Sequence, residues 1–460
     1  MKKLSLVALA LCAGVPLLAE GPSVQVYGIL DTGIAHVDHA LNFSDDFVVG
    51  TNPMLAKGVR TGATGMFNGG MSGTRFGIKA STDLVDGWKA VATLESGLNL
   101  PTGRISNAEE SLAESGGKST AAASAVSGQL FARGAFVGLS HATYGTLTFG
   151  RQQNLMYDIM VPYDATGLSQ LFSPDGFSGS FLGGGVTENS RVDSSVKYRV
   201  KLAEAFTLSV LTKVSGTKGP DATAATGCNE FTLEYASGPF GAYVGYQILN
   251  NGITYGTATN GSVVTVTTPT GTASINSPGT IKGTVVNTKD IQAGVKYKFS
   301  DVLLCFGYQQ FKFEDPSAGD AAYFASISNG SQYAYGQQVA SYTTNSIGTA
   351  AGNPDKEQTM LHLTAAWDLT SSLKLMAGYY DVKVNDYSNG APTSAKGSNK
   401  ADYMSLIADY SFTKAFDAYV GLMSVKTSGN AINAANGWIA ADGYDTTKNT
   451  TYGFGIRYKF

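Results

Sequence analysis

Stretches of about ten residues in which apolar and polar side chains alternate recur along almost the whole chain, the pattern of a strand with two different faces. In the first stretch Val24, Val26, Gly28, Leu30 and Ile34 share one face, and Gln25, Tyr27 and Asp31 the other. Further on, Phe240, Ala242, Val244, Tyr246 and Ile248 oppose Gln247 and several glycines, and Ile291, Ala293, Val295, Tyr297 and Phe299 oppose Asp290, Gln292, Lys296 and Lys298. Leu361, Leu363, Ala365 and Trp367 oppose His362, Thr364 and Asp368. The last stretch sets Tyr452, Phe454, Ile456, Tyr458 and Phe460 against Thr451, Gly453, Gly455, Arg457 and Lys459. Apolar faces this continuous are those of strands that meet hydrocarbon on one side.

The connections alternate between two kinds. Short ones contain Val85-Asp86-Gly87, Thr143-Tyr144-Gly145, Ala203-Glu204, Gly238-Pro239, Ser300-Asp301, Thr370-Ser371 and Thr413-Lys414. Long ones cover approximately residues 41–71, 101–128, 156–190, 217–226, 251–287, 314–355, 385–399 and 428–447, rich in Gly, Ser, Thr, Ala and Asn, which predicts flexible, solvated loops. Seven turns and eight loops join about sixteen strands, with both chain ends on the turn side. An open sheet in hydrocarbon would leave two edges of unpaired N–H and C=O groups, so the strands must close on themselves. The expectation is an all-β fold, a transmembrane antiparallel β-barrel with short periplasmic turns and long external loops.

Composition agrees. Fifty-six Gly and 46 Tyr plus Phe stand beside 13 Pro and only 15% charged residues, and a mean hydropathy of -0.02 is what alternating lipid-facing and water-facing positions average to. Lys2 and Lys3 precede an apolar run from Leu4 to Ala19, too short to span and not repeated, which reads as a cleaved signal peptide over residues 1–19 and leaves residues 20–460 as one barrel domain. Leu11 before Cys12 does not suit a lipid anchor. Losing Lys2 and Lys3 takes the formal net charge from -3 to -5, which excludes a generally basic nucleic-acid binder. Cys228 and Cys305 then remain, about three strands apart and near opposite ends of the barrel, beyond the reach of a disulfide, and are expected as free thiols.

Particular words in the sequence go further. Ser23-Val24-Gln25-Val26-Tyr27-Gly28-Ile29-Leu30-Asp31, Gly73-Thr74-Arg75-Phe76-Gly77-Ile78-Lys79, Leu94-Glu95-Ser96-Gly97, Leu130-Phe131-Ala132-Arg133, Phe136-Val137-Gly138-Leu139 and Gly145-Thr146-Leu147-Thr148-Phe149-Gly150-Arg151-Gln152, with the terminal strand, resemble the general porins of Gram-negative bacteria, most closely the beta-proteobacterial and neisserial type. The resemblance implies an outer-membrane barrel of sixteen strands, usually a homotrimer, whose third external loop folds into the lumen. It implies diffusion of small hydrophilic solutes and, for the strand ending at Phe460, recognition by the outer-membrane assembly machinery.

A pore selects by its width and by the charges at its narrowest part. Alternation turns Arg75 and Lys79 into the lumen, and likewise Arg191, Asp193, Lys197 and Arg199, opposite Val192, Val196, Tyr198 and Val200. Arg133 and Arg151 fall on lipid-facing positions, where an arginine costs ~2–4 kcal/mol at mid-membrane; the resemblance places them in the lumen instead, which requires a bulge, a rim position or a contact between protomers. In the candidate constriction loop, residues 156–190, Asp158, Asp164 and Asp175 could face this basic wall across the pore, with Tyr157, Tyr163, Phe172, Phe177 and Phe181 packing the loop; solvated carboxylates or wall salt bridges are the plainer alternative. The basic wall favours anions weakly.

Other chemistry finds little support. Gly183-Gly184-Gly185 lacks the Lys-Ser/Thr of a phosphate-cradling loop, and alternation sends His36 and His39, beside Asp38, to opposite faces, so no metal or other cofactor is expected. An enzyme would need a nucleophile oriented by a base, yet His141 closes a strand at a turn, His362 is predicted in the lumen, and no Gly-x-Ser-x-Gly elbow occurs. The alternative of another class is a surface adhesin or receptor, binding a partner through the long loops.

Overall fold

The computed structural model describes residues 22–38, 63–101, 103–105, 130–176, 191–214, 227–259, 263–268, 271–276, 280–314, 317, 319, 332–334, 337–343, 357–385, 399–428 and 448–460. The expected signal peptide, His39, Phe177, Phe181 and the glycines at 183–185 lie outside them.

Among the described residues sixteen long strands form the wall. They are β1 (Ser23–Val37), β2 (Arg75–Asp83), β3 (Trp88–Asn99), β4 (Gly134–His141), β5 (Gly145–Gln153), β6 (Arg191–Ala203), β7 (Phe206–Lys213) and β8 (Gly227–Ser237). The rest are β9 (Phe240–Thr259), β10 (Thr280–Phe299), β11 (Val302–Glu314), β12 (Glu357–Asp368), β13 (Leu373–Val384), β14 (Asn399–Ser411), β15 (Phe416–Ser428) and β16 (Lys448–Lys459). Each pairs antiparallel with the next, and β16 returns to β1 over Ile29 to Val37, closing the barrel as the edge argument demands. The lower half of β1 pairs with β2 and its upper half with the short strand Ala63–Asn68.

All seven predicted short connections are turns at one end. Asp86 and Gly87 take positive φ in the first, and Gly145 in the second, as reversals this tight require. The opposite end differs from expectation in two places. Residues 251–287, anticipated as flexible loop, are largely strand, because β9 and β10 each run for 20 residues and Val263–Thr268 pairs with Gly271–Asn276. The β-branched run Val263-Val264-Thr265-Val266-Thr267-Thr268 prefers extended backbone. Part of residues 314–355 is likewise strand, Gln337–Thr343 lying parallel to the start of β10.

The alternation predicted for the wall is realised. Val24, Ile34, Phe149, Leu363, Leu406 and Phe454 are about half exposed or more on the outside, whereas Asp31, Asp290, Gln292, Gln309, Gln358 and His362 are buried on the inside. A continuous apolar girdle of this extent needs a nonpolar solvent. Cys228 and Cys305 are buried, unbridged thiols.

Candidate functional site

The interior is occupied by the chain that leaves β5. Asn154 caps a short helix, α1 (Leu155–Met160), accepting from the Tyr157 amide at 2.8 Å, and 3-10 turns follow at Val161–Tyr163 and Pro174–Gly176. This segment lies against the inner wall. Glu230 of β8 accepts from the Leu155 amide, and Leu155, Met156 and Met160 pack with Leu211, Cys228, Leu249, Phe311 and Phe313. The Tyr163 ring packs against that of Tyr243 at a tilt of 58°, 4.6 Å between centroids. Farther along, the Ala165 amide donates to Thr364 at 2.8 Å and Ser405 donates to the Phe172 carbonyl at 2.5 Å. Phe172 covers Gly421 and Gly453, where a Cβ would come within 3.0 Å and 3.2 Å of its ring. The far end meets residues 69–72, where Gly70 carbonyl accepts from Ser169 Oγ at 2.8 Å and the Leu171 amide at 2.9 Å. Asp31 holds that receiving segment, accepting the amides of Gly70, Met71 and Ser72 at 3.1, 2.9 and 2.7 Å and the Tyr419 hydroxyl.

The basic residues gather on the part of the wall nearest the start of this loop. Glu95 receives Arg133 Nε at 2.7 Å and the Tyr27 hydroxyl at 2.8 Å, with Arg75 Nε at 3.6 Å. Lys79 Nζ lies 4.5 Å over the Tyr27 ring. Arg191 lies 5.6 Å from the Tyr157 ring centroid and donates to the Arg133 carbonyl at 3.1 Å. Arg75 and Arg133 thus share the Glu95 carboxylate, and Arg191 stands beside Arg133.

Three expectations drawn from alternation are corrected here, at Arg133, Arg151 and Val192. Arg133 precedes β4 in a turn, so strand parity does not govern it, and it reaches inward to Glu95. Arg151 is 7% exposed, bonded to the Ala132 carbonyl and Asp193, both at 2.6 Å. Beside it Gly150 has φ +134° and the β5–β6 register slips between Gly150 and Gln152, a bulge. Opposite the slip Ser194 takes φ +51°, and Val192, expected outside, is 3% exposed in the loop's apolar packing.

The acids divide. Asp158 pairs with Lys197 at 2.7 Å. Asp164 and Asp175, anticipated opposite the basic wall, face the strands on the other side. Asp164 accepts from Thr166, Ser173 (both 2.8 Å) and Tyr380 (3.1 Å). Asp175 accepts from Gln309 at 2.9 Å and stands 3.1 Å from His362 Nδ1, while His362 Nε2 meets the Tyr163 carbonyl at 3.1 Å. Burial pushes the Asp175 carboxyl above its ordinary range. A loop lying on a wall buries its own backbone amides and carbonyls, and these polar side chains supply the partners they lose. Glu230, His362, Tyr380 and Asp31 were not among the candidate site residues; their one signal was a polar side chain on the inward parity.

The chain resembles known proteins at three levels. A family model described as Gram-negative porin matches residues 5–430. An outer membrane porin protein of Bordetella pertussis is 32% identical over 263 residues, 54% of this chain and 60% of that protein, so the match spans less than two thirds of the relative. Among solved structures, an anion-selective porin from Comamonas acidovorans superposes with a TM-score of 0.58 at 16% identity, covering 95% of this chain and all of that one. OmpT of Vibrio cholerae gives 0.55 at 14% identity over 97% of this chain and 100% of that one, and its trimer form 0.53 at 16% over 96% and 100%. A closed sixteen-stranded wall with a lipid-compatible exterior is the frame that such a family match requires, and this chain belongs to the Gram-negative porin family of the outer membrane.

Proposed function

We propose that the chain forms a water-filled channel for passive diffusion of small hydrophilic solutes, with residues 156–190 as constriction loop and a preference for anions. The observation that carries the preference is the use of charge around the loop. Asp164 and Asp175 are spent on the β11–β13 wall and Asp158 on Lys197, while Arg75 and Arg133 share Glu95, with Arg191 against the Arg133 carbonyl and Lys79 exposed nearby. A net positive wall bounded by low-dielectric protein and lipid concentrates anions at the narrowest section. A barrel serving only to carry adhesive loops has no use for such a wall. The trimeric form among the structural neighbours supports a homotrimer, and the paired, aromatic terminal strand supports recognition of the Phe460 end by the assembly machinery.

Purified protein in a planar bilayer tests the reading. Stable conductance is expected, with a reversal potential in a salt gradient on the chloride side, moving toward zero in an Arg75→Gln/Arg133→Gln variant. Absence of conductance overturns the channel; a cation-side potential overturns the preference.

A further inference from the structure

Beneath the folded-in loop, the inner faces of β8–β11 bury more hydrogen-bond acceptors than the donors around them can meet. Glu230, Gln247 and Asp290 stand directly across from one another on β8, β9 and β10. Two residues along β10 from Asp290, Gln292 stands across from Gln309 of β11. The setting is apolar and closed. Phe311 is the β11 neighbour of Asp290, Met156 of the loop covers Gly245 beside Gln292, and Met160 Sδ lies 2.7 Å from Gln309 Nε2. Asp290, Gln292 and Gln309 are each 0% exposed.

Glu230 is fully engaged, accepting from the Leu155 amide, from Gln247 Nε2 at 2.6 Å and from the Cys228 thiol at 3.2 Å. Asp290 is not. Its Oδ2 accepts from Gln292 Nε2 at 2.8 Å, but its Oδ1 has no hydrogen-bonding partner among the described residues. The same is true of Gln292 Oε1 and of Gln309 Oε1, whose Nε2 is given to Asp175 at 2.9 Å. Among the described residues no lysine or arginine lies within ion-pair distance of Asp290 or Glu230. Unmet acceptors and an uncompensated carboxylate in a closed apolar setting are costly. A proton on Asp290 would supply one donor and leave one of the two amide oxygens unmet. A cation coordinated by oxygen meets all three atoms at once.

We propose that Asp290 Oδ1, Gln292 Oε1 and Gln309 Oε1 are ligands of a calcium ion held between the β10–β11 wall and the folded-in loop. Carboxylate and amide oxygens suit a hard cation, and among the described residues no three His, Cys, Asp or Glu side chains gather to hold a softer metal. Two positive charges balance Asp290 together with Glu230 on the far side of Gln247. Calcium accepts an irregular oxygen set drawn from two strands, whereas magnesium demands a near-ideal octahedron. The ion holds the loop through its ligands. Gln309 carries Asp175, and Glu230, in the row of Asp290, carries Leu155, so a filled site ties both the start and the later part of the loop to the wall.

The test is calorimetric titration of calcium chloride into the full chain, refolded in detergent without outer-membrane lipid and stripped with a chelator. A saturable site is expected, weakened roughly tenfold or more in D290N, since even changes beside a metal's ligands cost that much affinity. In the parent, calcium is expected to slow proteolysis within residues 155–176, and in D290N to leave it unchanged. Heat-stable electrophoretic mobility establishes that D290N is folded. If it is not, Q292E replaces it: a second carboxylate at the ion is expected to tighten calcium binding, and unchanged or weaker binding overturns the proposal. Absence of saturable binding by the parent overturns it, as does undiminished binding by folded D290N. Displacement of calcium by an equal concentration of sodium also overturns it, assigning the oxygens to a monovalent ion. Binding is read without conductance, so its failure leaves the channel reading standing.

Discussion

At Gly150 the wall departs from strict alternation, and one residue decides where an arginine goes. A Cβ there would stand 2.2 Å from the Ala135 carbonyl oxygen, and φ of +134° lies where side chains are strained. The bulge it permits turns Arg151 from lipid toward the Ala132 carbonyl and Asp193. Gly150→Ala is therefore expected to cost about 1–3 kcal/mol, measured as a lower urea midpoint for unfolding from lipid vesicles. The same midpoint in the variant as in the parent would show that the bulge is not needed. Arg75 and Lys79, on a strand without irregularity, were legible from parity alone, whereas Arg133 and Arg151 needed the turn and the bulge to be seen.

Among elements, the folded-in loop depends on wall residues brought together from distant parts of the chain. His362 holds both ends of its middle section, Tyr163 and Asp175, onto β12, and neither the facing Asp175 oxygen nor His362 Nδ1 has another hydrogen-bonding partner among the described residues. Removing one partner of a buried polar pair costs about 1–3 kcal/mol, because the survivor stays buried without its hydrogen-bonding partner. H362L is expected to loosen residues 161–176, seen as noisier single-channel current and faster proteolysis there. H362L/D175N should lose less than the two single variants together; strict additivity would mean that the two residues hold the loop separately. The sequence marked residues 156–190 as a long connection with apolar side chains. It did not reveal that Asp164 and Asp175 turn toward the wall, since their partners Tyr380 and His362 lie some two hundred residues away.

For the whole molecule, the distinction between outside and inside governs every strand. Leu406 is 58% exposed in the middle of the girdle, so L406R is expected to cost ~2–4 kcal/mol in a bilayer. Folding equilibria into lipid vesicles measure it, and a loss no greater in vesicles than in detergent would remove hydrocarbon as the solvent of that face.

The sequence by itself determined the class, the strand count, the turns and the faces, because each follows from local rules: a two-residue side-chain period, the turn preferences of Gly, Asp and Pro, and the need of every backbone group in lipid for a partner. Tertiary structure alone decided which charges remain available to a permeating solute. That depends on which wall residues the loop meets and on a bulge at Gly150, and the contacts involved are not between neighbours in the chain.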